Sequence, residues 1–439
     1  MGPLSGRYYL LNLGCAKNLV EGEHLAGLLL QAGWQPCAEP GEAELLLLNT
    51  CGFIRPAVEE AIEAALELAR AKGPGQRLVV AGCLVGRYGK KLAASLPEAD
   101  LLLSPGEAPR LLEHLAAPPP DRLAMSPPRG IFGAADARAL STGPGWAYLR
   151  VSDGCSHSCA FCTIPRIRGR LRSRPLEDVL AEARRLAGAG ARELNLVAQD
   201  LTSYGRDLGG PGLAELLAAL SEVPGVEWLR ALYLHPDLLE PPLIQAMAAT
   251  PKVVPYFDLP LQHIADPVLR AMGRRKSGAE LRRLLALVRA AAPGAVLRTT
   301  LLVGHPGEGE AEFAQLTEFV EQAGFDRLGV FAYSPEAGAR SARLAAPPPE
   351  VAQERRERIM ELQRSISRRR LARLLGRELP VLVLGPHPDS DLVWAGRTAG
   401  QAPEVDGLVI ITGGSAPPGS LAACRITATH DHDLEGVLL

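Results

Sequence analysis

The sequence predicts an α/β protein in three parts: an N-terminal doubly wound domain, a central partial (β/α) barrel of about six units, and a small C-terminal antiparallel barrel of OB-like character. Three observations carry this. Short Leu- and Val-rich runs alternate with helical patterns over residues 1–117, the alternation resumes for six rounds across 146–346, and short strands between Gly, Pro and Asp turns fill 377–439. A chain of 439 residues also suits about three domains at roughly 150 residues each.

In the first part the strand candidates are Tyr8–Leu13, Glu44–Leu48, Arg77–Val80 and Asp100–Leu103, apolar throughout as strands covered on both faces should be. Helical stretches follow at Asn18–Gln31, Pro56–Arg70 and Leu84–Leu96. Residues 118–145 are rich in Pro, Gly and Ala, lack periodicity and read as a linker. The barrel strands are expected at Ala147–Val151, Glu193–Val197, Glu227–Tyr233, Val253–Leu259, Val296–Val303 and Arg327–Tyr333. A charged connecting helix, Glu350–Leu375, occupies most of 347–376 after the Pro347–Pro349 run, with Gly376 as its stop. The last part shows strands at Leu379–Leu384, Val393–Thr398, Gly407–Thr412 and Ala422–Ala428.

Composition excludes several classes. With 47% hydrophobic residues the chain can bury a large core, and no apolar run approaches the ~18 residues of a membrane span. A net charge of −2 is not that of a basic nucleic-acid coat. The expectation is a cytoplasmic protein without a membrane segment or secretory h-region. There the eight cysteines are metal ligands or catalysts sooner than disulfides.

Their placement is the chemical signal. Cys155-x-x-x-Cys159-x-x-Cys162 offers three soft thiolates within eight residues, at the end of the first barrel strand, where barrel chemistry belongs. Three thiolates around a four-iron cube leave one iron open to an exogenous ligand. A zinc knuckle or three unrelated thiols are the alternatives, although zinc usually takes four ligands arranged as Cys-x-x-Cys pairs. Phe161, beside the third cysteine, is a candidate shield against water. Separately, Cys15, Cys51 and Cys83 each fall just past a strand, at the sheet edge where doubly wound folds bind ligands, so residues far apart in sequence can converge. Buried small cysteines are the alternative there, and the expected state of Cys37 and Cys424.

The first motif resembles that of the radical S-adenosylmethionine enzymes. The resemblance implies a [4Fe-4S] cluster on Cys155, Cys159 and Cys162 whose open iron chelates S-adenosylmethionine, and a low-potential electron donor whose electron releases a 5′-deoxyadenosyl radical. With Leu13-Gly14-Cys15-Ala16-Lys17-Asn18, Asn49-Thr50-Cys51-Gly52-Phe53 and Ala81-Gly82-Cys83, the whole chain resembles the methylthiotransferase family. That family implies a second [4Fe-4S] cluster on Cys15, Cys51 and Cys83 that supplies sulfur, use of two S-adenosylmethionine molecules, and a terminal TRAM barrel. Gln199 and Arg298 stand where family members contact S-adenosylmethionine.

Two branches of the family compete. MiaB-like proteins methylthiolate a hypermodified adenosine in tRNA; RimO-like proteins modify the β-carbon of an aspartate in ribosomal small-subunit protein twelve. Ser152-Asp153-Gly154-Cys155-Ser156-His157-Ser158-Cys159 and the Ala16-Lys17-Asn18 after Cys15 resemble the RimO branch; Glu21-Gly22 departs from its usual Asp-Ser. Charge agrees: residues 377–439 hold three basic and eight acidic residues, a net −5, which suits a basic protein partner better than RNA, and only Trp394 is available for stacking. Against this, Arg166, Arg168, Arg170, Arg172 and Arg174 would share one face of an extended chain, a candidate for docking rRNA or the cofactor carboxylate. A non-enzymatic iron–sulfur or zinc module that binds the ribosome is the remaining class. Asp200, His235, Gln262 and His263 also stand at strand ends, the two histidines as structural hydrogen-bonding groups. Gly304-His305-Pro306-Gly307-Glu308 lacks the Lys-Ser/Thr of a phosphate loop.

Overall fold

The computed structural model describes residues 6–128 and 130–439. It divides into two compact units. One comprises Met1–Ser141, Arg150–His157 and Cys162–Val179; the other comprises Thr142–Leu149, Ser158–Phe161 and Leu180–Leu439.

The first unit is built on an all-parallel sheet of β1 (Arg7–Asn12), β2 (Gln35–Pro36), β3 (Leu45–Thr50), β4 (Arg77–Gly82), β5 (Leu101–Leu103) and β6 (Leu123–Ala124), in the order β2-β1-β3-β4-β5-β6. The Leu45–Leu48 run shows why it must be covered twice. Leu45 and Leu47 join one core with Leu25 and Leu29 of α1 (Ala16–Gln31), while Leu46 and Leu48 join another with Ala61 and Ala65 of α2 (Arg55–Ala71) and Leu84 of α3 (Cys83–Ser95). The doubly wound expectation is met.

The expected linker is more than a tether. It supplies β6 and buries Phe132, whose ring stacks on His24 at 4.6 Å. After α4 (Leu111–Ala116), it also returns Arg138 to Glu23, 2.6 Å away. A carboxylate buried on α1 needs such a partner, and composition alone does not reveal it.

Chain order continues with β7 (Trp146–Arg150), then β8 (Ser152–Asp153) and β9 (Arg172–Ser173), which pair with α5 (Ile164–Ile167) between them, and α6 (Leu176–Gly188). In the second unit, the barrel strands form two three-stranded sheets. One has the order β11-β10-β7, from β10 (Glu193–Val197) and β11 (Trp228–Ala231); the other has the order β12-β13-β14, from β12 (Tyr256–Gln262), β13 (Val296–Val303) and β14 (Arg327–Ala332). Among the described residues, one isolated bridge, Leu229 to Val253, lies between them, and Leu234 N donates to Asp258 O of β12 at 2.9 Å. Pro255, just before β12, has no N–H with which to extend that pairing. Helices α7 (Leu213–Ser221), α8 (Pro241–Ala249), α9 (Asp266–Ala271), α10 (Gly278–Ala291) and α11 (Glu310–Ala323) alternate with these strands, and α12 (Pro349–Leu371) is the connecting helix. Among the described residues no helix is long and apolar enough to cross a membrane.

The C-terminal strands β15 (Glu378–His387), β16 (Ser390–Thr398), β17 (Val409–Gly413), β18 (Leu421–Thr429) and β19 (Leu434–Leu438) close in the order β15-β16-β17-β19-β18. β19 escaped the sequence reading, and it pairs parallel with β17. Parity requires this: a closed ring of five strands cannot alternate direction at every neighbour.

Candidate active site

β1, β3 and β4 are neighbours, and their carboxyl ends deliver Cys15, Cys51 and Cys83. The chain leaves β1 for β2 on one side and β3 on the other, which opens the crevice where doubly wound sheets hold ligands. Glycines bring the thiols together. Gly14 has φ of +99°, and a Cβ on it would lie 2.7 Å from that of Cys51; a Cβ on Gly52 would lie 2.8 Å from the Cys83 carbonyl carbon. Asn18 ties the loops, donating to Leu13 O at 3.1 Å and Thr50 O at 2.7 Å.

Cys15 caps α1 and Cys83 opens α3, positions where helix N–H groups favour a thiolate. Burial opposes ionisation of Cys15, but Lys17, the backbone N–H groups of Asn18 and Lys17, and Arg168 hold its thiol below the ordinary value. Burial raises Cys51, and it pushes Cys83 up to about 12 although Arg168 works the other way.

The second thiol set lies on a loop anchored at both ends. On the first unit, Cys155 N donates to Gly169 O at 3.1 Å, and Gly154, at φ +77°, lies so close to Arg170 that a Cβ would sit 2.2 Å from its carbonyl oxygen. On the second unit, Ala160 N donates to Met272 O at 2.8 Å, and Ser341 N donates to Ala160 O at 3.0 Å. His157 N donates to Cys155 Sγ and Ile164 N to Cys162 Sγ, both at 3.4 Å. Cys155 and Cys162 therefore sit in the same local turn, with sulfur as acceptor. That donor set fits iron–sulfur clusters, whose thiolates gain from N–H bonds. Among the described residues no three Cys, His, Asp or Glu side chains gather as around a single ion, whereas a cube spreads its thiolates over separate corners.

The arginine row does not share a face. α5 and the left-handed Gly169 break the extended chain, leaving Arg166 and Arg170 exposed while Arg168 and Arg174 are buried. Arg172 pairs with Asp153 at 3.2 Å and Arg174 with Asp178 at 2.7 Å. Arg168, named in the sequence only as one of that row, has a buried contact that sequence reasoning missed. It is 1% exposed, with Nη1 2.6 Å from Glu21 Oε2, Nη2 2.6 Å from Asn18 Oδ1 and Nε 3.2 Å from Cys83 Sγ. Glu21, where the sequence departs from the branch's usual Asp, is the buried counter-charge. A glutamate two turns into an otherwise covered helix was the available signal.

Phe161 packs with Ala265, Val268, Met272, Leu302 and Tyr333. Gln199 is half-buried two residues past the carboxyl end of β10. Arg298 is third in β13, away from the carboxyl end, and pairs with Asp258 at 3.1 Å and Asp406 at 3.7 Å. It lines a cavity of about 440 Å³ with Arg327, Gln363 and His432, at the joint between barrel strands and the C-terminal barrel. Asp200 caps a short turn through Thr202 N, and Gln262 ends β12 at φ +71°. The histidines are structural, as expected: His235 accepts from Asp237 N at 3.3 Å, and His263 accepts from Ala265 N at 3.0 Å while its Nε2 lies 3.3 Å from Glu308. Cys424 is buried in the C-terminal barrel and Cys37 is half-buried, donating to Tyr8 O.

His305 lies edge-on to Phe161 and Tyr333, with ring centroids 6.2 and 5.1 Å away. Burial lowers its imidazole from 6.5 to about 4, outweighing its bond to Pro306 O and the nearby Glu308. A depressed histidine contributes stability in full above its unfolded value, and that contribution is lost as pH falls from 6.5 towards 4, because the unfolded chain takes up the proton first. Urea unfolding should therefore show a loss of about 2 kcal/mol between roughly pH 7 and pH 5 that is absent in His305→Gln. Parallel pH profiles for the two proteins would refute the assignment.

Three family models match successive parts of the chain: the uncharacterized protein family UPF0004 at 7–104, the Radical SAM superfamily at 149–320 and the TRAM domain at 375–439. The fold is similar to that of the radical S-adenosylmethionine methyltransferase TsrM from Kitasatospora setae, with a TM-score of 0.56 over 74% of this chain and 72% of that one at 14% identity. The protein is thus a radical S-adenosylmethionine enzyme of the methylthiotransferase class, with TRAM as its C-terminal barrel. Proteins named ribosomal protein uS12 methylthiotransferase RimO are similar along nearly all of it. The one from Syntrophobacter fumaroxidans is 50% identical over 98% of both chains, that from Sorangium cellulosum 44% over 99% of this chain and 91% of that one, and that from Geobacter sulfurreducens 43% over 98% of both. The chain belongs to the RimO family.

Proposed function

We propose that Cys155, Cys159 and Cys162 hold the [4Fe-4S] cluster that receives S-adenosylmethionine, and that Cys15, Cys51 and Cys83 hold the second, in an enzyme that methylthiolates an aspartate of ribosomal protein uS12. Family membership selects this branch over tRNA modification. When bound, the first cluster supplies the electron that cleaves S-adenosylmethionine and the second supplies sulfur. The observation that carries the residue assignment is the delivery of Cys15, Cys51 and Cys83 by the carboxyl ends of three neighbouring parallel strands, beside a single loop that holds the other three thiols with N–H···S bonds at Cys155 and Cys162.

The chain's own groups do the positioning. Helix ends and backbone N–H groups hold the thiolates, Phe161 excludes water beside Cys162, and Gln199 contacts S-adenosylmethionine. Arg298 is left out of that set because Asp258 and Asp406 occupy it. A low-potential donor delivers the electron. Mass spectrometry of uS12 and of tRNA from a deletion strain tests the activity: loss of the methylthio group from uS12 alone is expected, and loss from tRNA alone would refute the reading.

The TRAM barrel docks uS12 through its acid excess; rRNA is the neighbouring surface on a ribosome-bound substrate. Three of its acids are already engaged: buried Asp406 accepts from Tyr256, Glu404 accepts from Tyr148, and Asp431 pairs at the surface with Arg368 and Arg364. Trp394 packs against the barrel core, which suits it poorly as a base-stacking platform. Docking then falls to acids such as Asp389 and Glu435. Asp389→Lys with Glu435→Lys should raise the KM for uS12 several-fold with little change in kcat, more at low salt than at high. An unchanged KM at low salt would exclude this surface.

A further inference from the structure

Arg168 buries a full charge in the first unit, beside a thiol that is a weak acceptor while it keeps its proton. Nη1 and Nη2 satisfy Glu21 and Asn18, at 2.6 Å each, and Asp153 lies 3.5 Å from Nη1. Nε is the remaining edge of the fork, and it faces Cys83 Sγ at 3.2 Å. A salt bridge with Glu21 alone would not require that edge to be dry and aimed at sulfur. An iron-bound thiolate would, because a charged donor and an anionic acceptor make the stronger bond. The residue comes shortly after Cys162, so the strand-end thiols depend on the ligand loop of the other motif for this contact.

Building on the cluster assignment of Cys15, Cys51 and Cys83 above, we infer that Arg168 is a positioning residue of the N-terminal cluster, donating an N–H···S hydrogen bond to Cys83 that raises the cluster's reduction potential. Hydrogen bonds to cluster sulfurs, nearby charge and exclusion of solvent set such potentials, and this guanidinium contributes to all three.

The test uses the full chain with Cys155, Cys159 and Cys162 replaced by Ala, so that only the N-terminal thiols assemble a cluster under anaerobic conditions. Iron and sulfide content and the reduction midpoint, followed by EPR, are compared in this parent, in Arg168→Gln, and in Arg168→Gln with Glu21→Gln, which removes both charges together. The expected result is a lower midpoint in both variants. Loss of iron from a variant whose thermal unfolding matches the parent's supports the same role. A midpoint equal to the parent's in an iron-replete variant overturns it. A parent that assembles no cluster instead defeats the assignment of the three thiols, which is a separate failure.

Discussion

Cys159→Ala should abolish reductive cleavage of S-adenosylmethionine, whereas Cys51→Ala should retain it and lose methylthio transfer. Both variants remove one sulfur from a half-buried position on a separately anchored loop, so both should fold. They differ in which thiol set is broken. Without Cys159 the barrel loop keeps two ligands, S-adenosylmethionine has no cluster to accept an electron from, and 5′-deoxyadenosine should fall to background under a strong reductant. Without Cys51 that chemistry is intact, and deoxyadenosine should accumulate without a methylthiolated uS12 peptide, while iron content falls by about half, one of two cubes being lost. Deoxyadenosine formation that survives in Cys159→Ala would overturn the division of labour between the two sets.

The largest stability effect is expected at a buried charge triad of the second unit. Glu193, at the start of β10, is fully buried, with Oε1 2.8 Å from Arg230 Nη2 and Oε2 2.5 Å from Arg397 Nη2 on the TRAM barrel. Burial works against its ionisation, but the two arginines, Arg397 foremost, hold its carboxyl below the usual range. Arg397 also lies over Trp146 and Arg230 over Tyr256, with ring centroids 5.3 and 4.7 Å away. Glu193→Gln preserves shape while leaving two buried cations uncompensated, and should cost about 3–5 kcal/mol in urea unfolding. Replacing all three with apolar residues of similar volume, Glu193→Leu with Arg230→Met and Arg397→Met, should recover most of that loss, because no charge is then left unpaired. A Glu193→Gln protein within about 0.5 kcal/mol of the wild type, the range of an ordinary surface change, would mean that water reaches the triad.

Much of this architecture was legible because its signals are local. Leu45–Leu48 reads as a strand covered on both faces without any knowledge of what covers it, and Glu193–Val197 and Val296–Val303 were placed to the residue. The barrel thiols were legible for the same reason, since one loop carries all three. The strand-end thiols needed one further step, the rule that doubly wound sheets gather ligands at their carboxyl edge, and the three cysteines do follow the carboxyl ends of β1, β3 and β4. The arginine row failed because a period of two applies only to extended backbone, and the four residues of α5 interrupt it. Arg298 was placed by its position along the chain, whereas its role follows from its depth within the strand and the carboxylates around it. β19 was missed because a short segment with Gly436 inside it carries little strand signal of its own until β17 and β18 supply partners.

By itself, then, the order of residues determined the three-part α/β plan, both sets of thiols and the class of chemistry, each of which rests on periodicity or spacing within a few turns of chain. Only the tertiary structure decided where buried charge goes: Arg168 to Glu21 and Cys83, Arg397 to Glu193, Arg298 to Asp258 and Asp406. A charged side chain leaves water only where an opposite charge or a strong acceptor meets it, and that partner is chosen by packing across long stretches of sequence, which no local pattern records.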